Sequence, residues 1–421
     1  MSVSSSRRNA ILSALRKGTV PAEGLDQLAV GLDHFRPAIE DELKAVAAGG
    51  GAFKAIRGEY GSGKTFASRW IEQIALDQGF AVAEIQISEN ETPLHKLETV
   101  YRRTTEQLRT SSYPNQAFRS VLDSWLGQVE LDSLSSGRQP DVVMEERLKV
   151  VGQAAPVFPL ALRGYRSAVE ADDIAVADGL AAWLGGQPSV AATVKRYAGV
   201  KSDLDHFTAM GFFRGLLEIL RGSGHAGLLL VLDEVETLQR MRADTREKAL
   251  NSLRQWIDEL DNGRYPGMYL LITGTTAFFE GTQGVKRLPP LDSRINVNFS
   301  DDPKWDNPRL PQIRLQSFDL PKLVEVGIKV RDLYAQDKPQ VLQLVDDTYV
   351  SDFAGVVAGS LGSQIGIDPR SFLRQLVDVL DRTTDNFPNF DPRRHYVFEV
   401  PVDAESSISK SPIVDPDDIE L

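Results

Sequence analysis

The sequence predicts an α/β protein built on a parallel sheet. Three observations predict it. A glycine loop, GEYGSGKT at 58–65, stands between a strand pattern and a helical one. Two continuous apolar runs, GLLLVL at 227–232 and MYLLIT at 268–273, suit strands covered on both faces. Segments with apolar residues at spacings of three and four separate them, as crossover helices would.

Residues 7–48 read as two helices, with Ile11, Leu12 and Leu15 on one face and Phe35, Ile39, Leu43 and Val46 on the other. AAGGG at 47–51 is a break. Ala52–Arg57 reads as a strand, Thr65–Leu76 as a helix through Phe66, Trp70 and Ile74, and Ala81–Ile87 as another strand. From Glu91 to Phe213 helical patterns dominate, with Trp125, Leu148, Trp183, Tyr197 and Phe212 expected in the core. Breaks fall at 133–140, 155–159 and 185–188. The strand pattern returns at 227. Residues 244–261 then read as a helix with Leu250, Leu253, Ile257 and Leu260 inward. After MYLLIT, Ile313 and Leu315 mark a further short strand, and the pattern beyond Pro321 is helical to about Arg382. The tail from Asp403 is acidic and rich in Ser and Pro, and is expected to be mobile.

These readings divide the chain into an N-terminal helical segment at 1–27 and the first part of a core at 28–90. A helical insertion follows at 91–215, then the second part of the core at 216–320. A C-terminal helical lid at 321–395 and an acidic tail at 396–421 complete it.

Composition narrows the function. The 421 residues are 42% hydrophobic and 25% charged, enough for a sizeable core. The net charge of −12 disfavours a bulk nucleic-acid coat but leaves room for a local basic groove. Without cysteine there is no disulfide framework, thiol chemistry or cysteine-type zinc site. No apolar run reaches the length of a membrane span, and the N-terminus lacks the apolar stretch of a secretory signal. The expectation is a soluble, cytoplasmic protein without membrane partners.

The chemistry is expected at the loop. Gly58, Glu59, Tyr60, Gly61, Ser62, Gly63, Lys64 and Thr65 fit the Walker A pattern, whose backbone N–H groups cradle phosphate oxygens. Lys64 is placed to reach the β- and γ-phosphates, and Thr65 to ligate Mg²⁺. In LLLVLDEVE, Asp233 and Glu234 follow an apolar strand, where open α/β sheets bind ligands. Asp233 is read as holding the Mg²⁺ shell and Glu234 as polarising the attacking water. Two acids opening a helix are the plainer alternative. Thr273 and Thr275, at the end of MYLLITGTT, are both candidates to touch the γ-phosphate or the water, against an ordinary strand-end role. Arg294 is either an arginine finger for a neighbouring subunit or a surface ion pair. Arg370 lies in the first turn of a helix opened by Pro369, where a cation opposes the dipole and a ligand-facing role gains weight; Arg374 is one turn on.

In this order, the motifs resemble an AAA+ ATPase. The fold that implies is an α/β P-loop AAA+ core, a parallel sheet flanked by helices, with a large helical insertion and a C-terminal helical lid. VGLDHFRPAIEDEL resembles the adenine-flanking segment of initiator-type, Orc/Cdc6-like AAA+ proteins. By that resemblance Val30, Gly31 and Leu32 lie near the base. A narrower match lies in RRNAILSALRKGTVP, RGEYGSGKTFASRW, QISENETPLHKLETVYRR and GTTAFFEGTQGVKRLPPLDSRI. These resemble the BREX (bacteriophage exclusion) system ATP-binding proteins of BrxD type. That resemblance implies ATP and Mg as cofactors, antiphage defence, and a helicase or double-stranded DNA as partner. Two departures stand out. Only about forty residues follow the Arg370 helix, too few for the winged helix of initiator-type relatives plus the tail. And the insertion has no assigned role. Its Arg102, Arg103, Arg109, Arg119, Arg163, Arg166, Lys195, Arg196 and Lys201 make either a DNA-facing surface or, with acids interspersed, a solvated helical face.

The leading expectation is thus an ATP-hydrolysing AAA+ module working as a homo-oligomer. The alternative is a nucleotide-gated scaffold that binds ATP and recruits a helicase with little turnover. A GTPase is disfavoured, since no guanine-reading N-K-x-D tetrapeptide is present.

Overall fold

The structure is a computed structural model that describes residues 4–360 and 369–397. Its strands are β1 (Gly51–Arg57), β2 (Ala81–Gln86), β3 (Leu228–Asp233), β4 (Met268–Gly274) and β5 (Gln312–Arg314). The helices of the first half are α1 (Ser5–Arg16), α2 (Arg36–Ala47), α3 (Lys64–Asp77), α4 (Leu97–Glu106), α5 (Phe118–Ser136), α6 (Pro140–Ala154), α7 (Val157–Glu170), α8 (Ile174–Leu184) and α9 (Ala192–Tyr197). Then come α10 (His206–Gly222), α11 (Ala243–Asp261), α12 (Thr276–Glu280), α13 (Pro289–Ile295), α14 (Leu320–Ala335), α15 (Asp347–Ser360), α16 (Pro369–Asp385) and α17 (Pro392–His395). The fold class is α/β as expected: a parallel five-strand sheet flanked by helices, with a large helical insertion and a helical C-terminal region. No described helix is long and apolar enough to cross a membrane. The acidic tail from Asp403 lies outside the described residues.

The chain forms two compact units. The first to consider is His34–Gly58 with Ala67–Leu315, which holds the sheet. The strand order is β2-β3-β4-β1-β5 and every pairing is parallel. β3 and β4 are buried along their whole length, which is why they read as unbroken apolar runs. From β1 the chain crosses towards β2 on one side; from β4 it crosses towards β5 on the other. The strand order therefore reverses between β1 and β4, the place where such sheets bind ligands at their carboxyl ends.

Helices α4 to α10 are inserted between β2 and β3. Asp205 and Thr208 close a capping box at the start of α10. This helix carries the aromatic centre of the insertion. Phe212 meets Tyr101, Phe158 and Trp183 edge-on at 5.5, 5.1 and 5.4 Å, a favoured aromatic geometry. Gly215 lets the Phe158 ring approach the helix, since a Cβ there would lie 2.7 Å from it. Trp125, Leu148, Trp183 and Phe212 are buried as expected. Tyr197 is not: it is 47% exposed, because the six-residue α9 is too short to form an apolar face and buries no residue. The break expected at 133–140 is shorter, since α5 runs on to Ser136 before Gly137 ends it in the left-handed conformation. The break expected at 155–159 shrinks likewise, because Pro156 precedes α7 where its missing N–H is harmless.

The second unit is Met1–Asp33, Glu59–Phe66 and Gln316–Leu421. Its core is built from Ile11, Leu12 and Leu15 of α1, Leu323, Val326 and Val330 of α14, Val350 and Ala354 of α15, and Phe372, Leu376 and Val379 of α16. Arg16 grips Asp381 with two hydrogen bonds of 2.6 and 2.7 Å, and the Tyr334 hydroxyl donates to the same carboxylate at 2.9 Å.

Candidate functional site

At the carboxyl edge of the sheet, three neighbouring strand ends converge on one residue. β3 ends at buried Asp233, and Glu234 follows it with φ 59° and ψ 42°. A non-glycine residue in that left-handed region carries about 1–3 kcal/mol of strain and persists only where its surroundings hold it. Here the Glu234 N–H donates to Asp233 Oδ1 at 3.1 Å and to Thr273 Oγ1 at 3.2 Å. Thr273, fully buried in β4, donates its own hydroxyl proton to Asp233 Oδ1. The Glu234 carboxylate accepts from Gln86 Nε2, at the end of β2, at 2.8 Å. Thr237 then bonds the Glu234 carbonyl at 2.9 Å and the Ile87 carbonyl at 3.1 Å. The result is an aimed carboxylate beside a second, buried one.

Gln86 was not legible as a site residue. Its relevance comes from the β2–β3 register, which pairs Gln86 with Asp233 across 147 positions of sequence. A polar residue at the carboxyl end of a strand whose other members, Glu84 apart, are apolar is the only local signal. The structure also separates the two threonines. Thr273 joins the carboxylate cluster, whereas Thr275 caps α12 by accepting from the Phe278 N–H at 3.3 Å.

The glycine loop follows β1 directly in the chain. Gly58 N–H donates to the Gly274 carbonyl at 3.2 Å. Beyond it Glu59 and Ser62 close a turn, with Ser62 N–H on the Glu59 carbonyl at 3.1 Å. Gly61 and Gly63 have φ of 78° and 88°, which glycine adopts without the cost borne by other residues. Lys64 is buried; its ammonium donates to the Glu59 carbonyl at 3.2 Å and lies 5.1 Å from the centre of the exposed Tyr60 ring. Thr65 is the second residue of α3. The Ser62 hydroxyl is buried with no hydrogen-bond partner among the described residues. An orphaned hydroxyl, a lysine folded back on its own loop and two left-handed glycines at a helix start fit a polyphosphate cradle.

Val30 and Leu32 are buried around Gly31, whose φ is 71°, and Val30 belongs to the core of the helical unit. Arg370 and Arg374 are exposed on α16. Arg294, on α13, is held by Asp258 of α11, with one contact at 3.2 Å and a closer one, and by the Pro290 carbonyl. In the insertion, Arg103 pairs with Glu106, Arg119 with Asp178, Arg163 with Glu145, Arg166 with Asp141 and Glu170, and Lys195 with Asp203, whereas Arg109 reaches the buried Glu72 of α3, outside the insertion. Arg103, Arg119, Arg163, Arg166 and Lys195 are thus each matched by an acid.

The family model described as the BREX system ATP-binding protein BrxC/D matches residues 3–400. No curated protein matches the sequence. Among solved structures, the Aeropyrum pernix Orc1 protein in complex with DNA is similar at a TM-score of 0.37 and 12% identity, over 92% of this chain and 67% of that one. The Aeropyrum pernix Orc2 protein, in ADPNP and ADP complexes, is similar at a TM-score of 0.36 and 14% identity, over 82% of this chain and 66% of that one.

Proposed function

Because the chain belongs to the BREX-system ATP-binding BrxC/BrxD family, we propose that it is an ATPase that hydrolyses the terminal phosphoanhydride of Mg-ATP in antiphage defence. The observation that carries the reading is Glu234. Its backbone is held in a costly conformation by Asp233 and Thr273, and its carboxylate is aimed by Gln86. A residue that only bound nucleotide would have no use for that arrangement, whereas orienting a water requires it.

In this reading the N–H groups of residues 58–65 receive the phosphates, and Lys64 exchanges the Glu59 carbonyl for phosphate oxygens. Mg²⁺, when bound, neutralises charge on the β- and γ-phosphates; Thr65 and Asp233 would hold it. Glu234 accepts hydrogen bonding from the attacking water, and Thr273 fixes the Asp233 and Glu234 geometry. Val30 and Leu32 flank the base, Arg370 faces the nucleotide phosphates, and Arg294 serves a neighbouring copy in a homo-oligomer. A cytoplasmic site of action beside a helicase or double-stranded DNA completes the proposal.

One observation favours the second reading, a nucleotide-gated scaffold with little turnover alone. Arg294 is engaged by Asp258 and Pro290 of its own chain, so its release would have to accompany assembly or a partner. Both readings meet in one experiment. Glu234→Gln is expected to lower ATP turnover by about 100-fold or more while leaving ATP binding intact. Equal turnover in the two proteins would remove Glu234 from the chemistry. Tight binding without turnover in the wild type, at every protein concentration and with DNA, would select the scaffold.

A further inference from the structure

Arg57 is the last residue of β1, immediately before the first glycine of the loop. The backbone here is tied on both sides. The Arg57 carbonyl accepts from Leu315 N–H at 2.8 Å, and Gly58 N–H reaches the Gly274 carbonyl at 3.2 Å. The side chain is almost entirely buried, which is unusual for arginine. Its Nη2 donates to Glu280 Oε1 at 2.5 Å. Glu280 is the last residue of α12, the helix that Thr275 caps directly after β4. The guanidinium also lies 4.9 Å from the centre of the Phe299 ring, and Arg314, at the end of β5, covers the same ring at 4.7 Å. Arg314 is fixed in turn by Asp306 at 2.9 Å and by the Ser300 carbonyl at 2.8 Å. The Glu280 carboxyl is held below its usual range, chiefly by its hydrogen bond to Arg57, with Lys286 and Arg314 adding to the effect.

An isolated structural arginine would need only a carboxylate. This one joins the ends of three adjacent strands, through Glu280 after β4, through Phe299 and Arg314 at β5, and through its own peptide at β1. Two of those ends lead directly into groups the proposed chemistry uses, the loop at Gly58 and the segment holding Thr273. We propose that Arg57 is a positioning residue for ATP hydrolysis, and that the Arg57–Glu280 pair holds the first glycine of the phosphate loop in register with the Thr273–Thr275 segment. This rests on the ATPase reading for its catalytic consequence and not for its structural one.

The test uses the full chain with Glu280→Gln, Arg57→Met, Arg57→Lys and the Glu280→Gln/Arg57→Met double variant. Three quantities are measured: amide hydrogen exchange at Gly58 and at 275–280, melting temperature, and kcat and KM for ATP. Glu280→Gln is expected to speed exchange at Gly58 by about 10-fold and to lower kcat by about 10-fold, with KM changed less than about 2-fold. The double variant is expected to be no worse than Arg57→Met alone, because both remove one interaction. Arg57→Lys keeps the charge without the planar fork, and recovers part of the loss. Unchanged exchange at Gly58, or additive losses in the double variant, would overturn the proposal. So would a fall in kcat that merely followed the melting temperature across the variants. Should the wild type show no turnover, the ATPase reading fails separately, and Gly58 exchange still decides whether the pair holds the loop. If Arg57→Met does not fold, Glu280→Gln carries the test, since Glu280 is half exposed.

Discussion

At the carboxyl edge of the sheet, Gln86, Asp233 and Thr273 converge on Glu234. In the helical insertion, Arg119, Arg163, Arg166 and Lys195 each close on an acid of their own or a neighbouring segment. Both regions are rich in polar groups, yet they use them differently. Left-handed backbone does not by itself separate them, since Gln116, Asp172 and Ser189 of the insertion have it as well as Glu234; what is particular to the edge is that Asp233 and Thr273 hold the Glu234 N–H while Gln86 holds its carboxylate. The insertion pairs charges at a partly exposed surface, where each pair contributes little and neighbouring positions can substitute for one another. What holds the insertion together is its aromatic centre, not its ions. Charge content alone therefore does not locate function; the number of partners committed to one atom does.

The contrast can be broken at several points. The largest effect is expected at Phe212, which touches three aromatic rings in the insertion. Phe212→Ala is expected to cost about 3–5 kcal/mol of stability, read from denaturant unfolding. A cost below about 1 kcal/mol would mean the insertion is held by its surface pairs after all.

The next effect concerns a buried charge on neither side of the comparison. Glu72 of α3 is buried, and its carboxyl is pushed up to about 8, first by burial and then by the charge of Glu84, against the pull of Arg109 and Arg69. Its folded value is therefore raised above its unfolded one. The stability it contributes is fully present below about pH 4.5 and is lost as pH rises through about 8. Unfolding midpoints at pH 6 and pH 8.5 should differ in that direction for the wild type and converge for Glu72→Gln. An unchanged slope would show that Arg109 keeps Glu72 ionised throughout.

A smaller effect sharpens the view of the edge. Glu234→Gly is expected to be more stable than Glu234→Ala by about 1 kcal/mol, because only glycine accepts the left-handed backbone without strain, while both lose turnover. Equal stabilities would show that the local backbone relaxes freely and that Asp233 and Thr273 do not hold it.

The smallest effect belongs to the insertion surface. Arg163→Ala should change stability by less than about 1 kcal/mol and leave any DNA affinity of the chain unchanged. A clear fall in DNA affinity, measured at fixed salt, would show that the Arg163–Glu145 pair opens to meet phosphate, and would return the insertion to the role of a nucleic-acid surface.

Sequence alone determined much of this protein. Apolar runs announced β3 and β4, periodicity announced α2, α3, α11 and α16, and the glycine spacing at 58–65 announced the loop. Such features are legible because they depend on residues within one or two turns or one strand of each other. The pairing of Asp233 and Glu234 was legible too, since both end the same strand. Tyr197 departs from the core that its aromatic ring suggests because α9 is only six residues long and buries none of them.

Only the tertiary structure decided the rest. That Thr273, and not Thr275, meets Asp233 depended on which strand lay beside β3. The aiming of Glu234 by Gln86 joins residues 148 apart, and the Arg57–Glu280 tie joins residues 223 apart. The engagement of Arg294 by Asp258 depended on where α13 returned against α11. Each is a contact between polar side chains that leaves no periodic trace, because a single hydrogen bond constrains two positions and nothing between them. Strand order brings those positions together, and strand order is set by how the whole core closes.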